Sequence, residues 1–122
     1  MAMALKKVIV VDDNPQVLNN VSMEIELCGY DSMPFQDPYH FLSCASHLSP
    51  CPVLLDLMMP GMSGLDVLYE LRQRRLNDFS VLVFTSIDDP IFRQKALDLG
   101  ADRYVLKPEF FDSPCTLVSS YL

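Results

Sequence analysis

Val53-Leu54-Leu55-Asp56-Leu57-Met58-Met59-Pro60-Gly61-Met62-Ser63-Gly64-Leu65 holds three elements in succession. Val53-Leu54-Leu55 is a short apolar run without polar alternation, which suits a strand covered on both faces. It ends on a carboxylate, Asp56. A loop rich in methionine, proline and glycine follows. Leu65, Leu68 and Leu71 then recur at helical spacing, to about Arg74. A buried strand that hands over to an amphipathic helix is the repeating unit of a parallel α/β sheet.

The same unit recurs on both sides. Val8-Ile9-Val10-Val11 stops at Asp12-Asp13-Asn14-Pro15. Asn14 or Asp13 can cap a helix there, with Pro15 in its first turn. Val17, Val21, Ile25 and Cys28 share the face of that helix, and Gly29 ends it. Tyr30 to Phe35 is a short strand cut by Pro34. Asp37-Pro38 opens a second helix, with Phe41, Ala45 and Leu48 on one face, closed by Ser49-Pro50-Cys51-Pro52. Val81 to Phe84 is a fourth strand ending at Thr85-Ser86. Asp89-Pro90 opens a helix with Phe92, Ala96 and Leu99 facing inward, and Gly100 ends it. Tyr104-Val105-Leu106 is a fifth strand, ending at Lys107-Pro108. Ser113-Pro114 opens a short last helix to Leu122.

The pattern is (βα)5 and predicts a parallel sheet with helices on both faces and right-handed crossovers. Five units are too few for an eight-stranded barrel. An open, doubly wound, flavodoxin-like sheet in strand order 2-1-3-4-5 is the expected fold.

Bulk properties agree with one domain over residues 1–122. Half of the residues are hydrophobic and a fifth are charged, which is ordinary globular composition. The formal net charge of -7 argues against nucleic-acid binding by this domain, because such binding rests on neutralising phosphates. Arg72, Arg74 and Arg75 are the densest basic group and read as a solvated helix end. Cys28, Cys44, Cys51 and Cys115 have neither zinc spacing nor a C-x-x-C pair. They read as reduced, small apolar residues of a cytoplasmic protein. Met1 to Lys7 is too short and wrongly ordered for a signal peptide, and no apolar run approaches a membrane span.

Sites in open α/β sheets lie beyond the carboxyl ends of the strands. There the first strand delivers Asp12 and Asp13, the third Asp56, the fourth Thr85 and Ser86, and the fifth Lys107. Clustered carboxylates repel and call for a hard cation, for which oxygen ligands and water favour Mg2+. A carboxylate beside such a cation can act as nucleophile toward a phosphoryl group, forming an acyl phosphate. A lysine then balances charge on the phosphoryl oxygens, and a threonine hydroxyl donates to one of them.

This ordered set resembles the receiver domain of two-component response regulators, including the chemotaxis-regulator type. The likeness runs from Val8 to about Pro108. It rests on Asp12-Asp13, on Leu55-Asp56-Leu57-Met58-Met59-Pro60-Gly61 with Gly64-Leu65, on Thr85, on Gly100-Ala101 and on Lys107-Pro108. The resemblance implies that Asp56 accepts a phosphoryl group from a phosphohistidine on a sensor histidine kinase or histidine phosphotransfer protein. It implies that Asp13, Asp56 and the Met58 backbone carbonyl bind Mg2+, with Asp12 assisting through water. Lys107 pairs with the phosphate, Thr85 hydrogen-bonds to it, and Tyr104 is the switch aromatic. Lys107-Pro108 is expected to be cis. A receiver of this kind catalyses its own phosphorylation and dephosphorylation without being an independent enzyme. Its changed surface acts on a downstream protein or an output domain.

Two features depart from the family pattern. Glu109 to Leu122 contains no Lys or Arg, so it lacks the basic residue of the ion-paired receiver dimer. A homodimer here would use Phe110, Phe111 or Leu117. Met58 and Ile87, two positions beyond Asp56 and Thr85, are apolar and are expected to hinder a hydrolytic water. The alternative from another class is a pseudo-receiver, an interaction module with the fold and no phosphorylation; it predicts a missing acceptor, lysine or acidic pair. A haloacid-dehalogenase-type phosphatase needs a second aspartate where Met58 stands. A nucleotide-binding flavodoxin needs a glycine-rich loop after the first strand, which is absent.

Overall fold

The computed structural model describes residues 6–122; most of the stretch compared with a signal peptide, Met1 to Leu5, lies outside them. Five strands alternate with helices: β1 (Lys7–Val11), α1 (Pro15–Leu27), β2 (Asp31–Phe35), α2 (Pro38–Ala45), β3 (Val53–Asp56) and α3 (Gly64–Gln73). The chain continues through β4 (Val81–Thr85), α4 (Pro90–Asp98), β5 (Arg103–Leu106), α5 (Lys107–Asp112) and α6 (Pro114–Ser119). All pairings are parallel and the order is β2-β1-β3-β4-β5, as expected. Pro34 is tolerated because β2 is an edge strand, where a missing N–H interrupts no inner ladder.

Strand residues alternate between two cores, as the period of two demands. Ile9, Val11, Val53, Leu55, Val81 and Val83 face α2, α3 and α4, where Phe41, Val67, Leu68 and Leu71 meet them. Val8, Val10, Leu54, Leu82, Phe84 and Val105 face the other way, against Leu18, Val21 and Ile25 of α1 and Phe110, Leu117 and Val118 of α5 and α6. Helix starts follow their caps. The Asn14 side chain accepts from the Gln16 and Val17 N–H groups, and Asp37 and Asp89 cap α2 and α4 ahead of proline.

Several expectations need correction. Cys28, at the carboxyl end of α1, is disulfide-bonded to Cys115 in α6; Cys44 and Cys51 are free. The partners are 87 residues apart, and only the packing of α6 on α1 brings them together. Lys107-Pro108 is trans, since no described peptide bond is cis. A helix begins at Lys107 and puts Pro108 in its first turn, where a proline needs no N–H partner. The last helix therefore comes in two pieces, α5 and α6, broken at Ser113. Helix α2 stops at Ala45, short of Leu48. Phe110 and Leu117 are buried, so among the three aromatic and aliphatic candidates for a dimer contact only Phe111 is exposed. Arg72 is no solvated end: its guanidinium donates to the carbonyls of Leu76, Phe79 and Gly100.

Candidate phosphoacceptor site

The carboxyl edge of the sheet collects the site. Asp12 directly follows β1 and is fully buried. Its Oδ1 accepts from the Asn14 N–H at 2.9 Å, which fixes the carboxylate in the turn before α1. Asp13 beside it is half-buried. Asp56 is the last residue of β3 and is 5% exposed. Carboxylate oxygens of Asp12, Asp13 and Asp56 all lie within 4.8 Å of one another.

Gly64 holds the loop that follows Asp56. Its N–H donates to the Leu57 carbonyl at 2.8 Å. A Cβ at this position would collide with the Asp56 carbonyl oxygen and lie 2.9 Å from the Leu57 Cα. Only glycine lets the start of α3 approach the acidic residue so closely.

Lys107 crosses the edge from the end of β5. Its Nζ lies 3.3 Å from Asp12 Oδ2 and 3.6 Å from Asp56 Oδ1. One cation thus faces three carboxylates. Burial pushes the Asp56 carboxyl up, the charge of Asp12 adds to it, and Lys107 opposes. Asp13 adds a further upward push and the Met58 backbone N–H a downward one, leaving Asp56 at about 6 against an ordinary 3.8. A carboxylate so disfavoured gains from a divalent cation, and three converging carboxylate oxygens are a hard donor set that fits one.

Thr85 ends β4 and is buried, its Oγ1 accepting from the Ile87 N–H at 3.1 Å. Tyr104 of β5 is also buried, and its hydroxyl donates to the Ile87 carbonyl at 2.6 Å. The Arg93 guanidinium stands 4.9 Å from the centre of that ring. Burial raises the Tyr104 phenol and the Arg93 charge opposes. Thr85 and Tyr104 therefore meet through the backbone of Ile87, with the ring already turned inward. The Met58 side chain points out and is 59% exposed, whereas Met59 is buried.

The structure brings together Asp12, Asp13, Asp56 and Lys107 and sets Thr85 and Tyr104 as a second pair beside them. Two contributors escape a reading by motif. Asn14 serves Asp12 through its backbone N–H, which has no side-chain signal. Phe84 reads as strand filler, yet its ring centre lies 5.2 Å from Lys107 Nζ.

Residues 8–117 match the response regulator receiver domain family, and the chain belongs to that family of two-component systems. The alkaline phosphatase synthesis transcriptional regulatory protein PhoP of Bacillus subtilis is 35% identical over 103 residues, 84% of this chain and 42% of that protein. The probable transcriptional regulatory protein TcrX of Mycobacterium tuberculosis is 39% identical over 101 residues, 83% of this chain and 43% of that protein. The chain thus spans less than half the length of the curated relatives it matches. Among solved structures, the receiver domain of the Francisella response regulator 1452 superposes with a TM-score of 0.86 at 25% identity, covering 94% of each chain.

Proposed function

We propose that residues 1–122 form one receiver domain in which Asp56 takes a phosphoryl group from a phosphohistidine on a sensor histidine kinase or histidine phosphotransfer protein. The observation that carries this reading is the convergence of three carboxylates within 4.8 Å with Lys107 bridging Asp12 and Asp56. Asp13 and Asp56, with the Met58 carbonyl, would hold Mg2+, and Asp12 would bind it through water. The bound cation would neutralise charge between the carboxylate and phosphoryl oxygens. The Asp56 carboxylate is the nucleophile, attacking phosphorus while the imidazole nitrogen leaves. Lys107 turns from Asp12 and Asp56 toward the new phosphoryl oxygens, and Thr85 exchanges the Ile87 N–H for one of them. That exchange loosens the segment to which Tyr104 is bonded, which couples the chemistry to the surface of α4 and β5.

The phosphorylated surface would act on a downstream protein or an output domain. The curated relatives named above are transcriptional regulators by name, and they extend well beyond the matched region. Beyond self-phosphorylation and self-dephosphorylation no separate enzymatic activity is proposed. No helix among the described residues is long and apolar enough to cross a membrane, and a cytoplasmic location fits a kinase partner.

The test is incubation with acetyl phosphate, with and without Mg2+, followed by intact mass. One added phosphoryl group, dependent on Mg2+ and absent in Asp56→Asn, supports the reading. No gain in the parent protein favours the pseudo-receiver.

A further inference from the structure

Lys107 has a flexible four-carbon stem, so something must hold its ammonium over the acidic edge. Asp12 and Asp56 approach from one side, at 3.3 and 3.6 Å. The ring of Phe84 lies 5.2 Å away, centroid to Nζ, within the range where a ring attracts a cation. Phe84 stands opposite Asp56 in the β3–β4 register and is fully buried. Its ring cannot drift: Phe110 packs edge-on against it at 5.4 Å and Phe111 at 6.4 Å. Those two phenylalanines belong to α5, the helix that Lys107 begins.

We propose that Phe84 is a positioning residue for Lys107, its ring holding the ammonium at the acidic edge while Phe110 and Phe111 lock the ring to α5. An aliphatic side chain at this place would fill the core as well, but would offer the ammonium no negative face. The inference rests on the acceptor reading above, because Lys107 acts there by meeting phosphoryl oxygens. It adds a second contact to the site, distinct from Thr85 and Tyr104: α5, held in place, fixes the ring and, through it, the lysine.

The experiment replaces Phe84 with phenylalanine carrying one, two or five ring fluorines. Ring shape is nearly kept while the negative face is progressively lost. The rate of Mg2+-dependent phosphoryl uptake from acetyl phosphate should fall stepwise, by at least about fivefold with five fluorines. Phe84→Leu should be as slow, and Phe84→Tyr close to the parent. NMR gives a readout that does not depend on phosphorylation: the Lys107 ε-methylene protons should be shifted upfield by the ring in the parent and not in Phe84→Leu. A parent that takes up no phosphoryl group overturns the acceptor reading, and the NMR shift still decides where the lysine sits. A normal parent with equally fast fluorinated proteins, or unshifted ε-methylene protons, overturns the role of Phe84.

Discussion

The acidic edge and the α5–α6 segment are held by opposite means. At the edge, three carboxylates and one lysine are crowded where charge is costly, and the Asp56 carboxyl rises to about 6 in consequence. The α5–α6 segment packs Phe110, Leu117 and Val118 against α1 and the sheet and ties Cys115 to Cys28. One region stores a cost that a cation and a phosphoryl group can relieve. The other spends apolar burial and a covalent bond on staying in place. The proposed phosphorylation switch would need both, because a strained site changes state only if its surroundings remain fixed.

Changes that confuse the two regions should have the largest effects. Gly64→Ala puts a methyl group into the Asp56 backbone and should lower stability by about 3 kcal/mol or more, measured by urea unfolding. Phosphoryl uptake should fall with it, because the loop that follows Asp56 must move. Reduction of Cys28–Cys115, or Cys28→Ser, opens an 87-residue span and should cost about 4 kcal/mol. Uptake at Asp56 should stay near normal, since the bond does not touch the acidic edge; a matching loss of uptake would contradict the division of labour.

Asp56→Asn should act in the opposite direction. The native carboxyl titrates above its unfolded value, so the native state binds the extra proton between the two values. This group's contribution is then neutral near pH 3, turns unfavourable as pH rises from about 4 to about 6, and is constant above that. Without Mg2+, Asp56→Asn should stabilise the fold at about pH 7 by about 3 kcal/mol and leave it unchanged near pH 3. Thermal unfolding across that range checks both ends, and added Mg2+ should shrink the difference. The smallest effect is expected from Tyr104→Phe. It loses the bond to the Ile87 carbonyl, about 1 kcal/mol, and leaves phosphoryl uptake intact because the hydroxyl does not reach the acidic edge.

The same contrast explains what the sequence discloses. Strand order and the carboxyl edge are legible because they depend on local signals: apolar runs, Asp-Pro and Asn-Pro starts, and a charged residue at the ends of β1, β3 and β5 with a hydroxyl at the end of β4. Asp12, Asp13, Asp56 and Lys107 meet because topology sends all strand ends to one edge. The α5–α6 segment depends on contacts far apart in the chain. Nothing near Cys115 signals Cys28, and nothing near Phe84 signals Lys107. A cis bond before Pro108 is implied by resemblance alone; α5, starting at Lys107, accommodates a trans bond. Arg72 likewise reads as a solvated charge until Leu76, Phe79 and Gly100 bring their carbonyls to it.

If Asp56 accepts the phosphoryl group as proposed, its side chain becomes an acyl phosphate, which borohydride can trap. Protein treated with acetyl phosphate and Mg2+ should be reduced with borohydride, which converts a phosphorylated aspartate to homoserine, and the peptides weighed. Homoserine at position 56, and only there, is the predicted result. Homoserine at Asp12 or Asp13, or an unchanged Asp56 in protein that has gained a phosphoryl group, would contradict it.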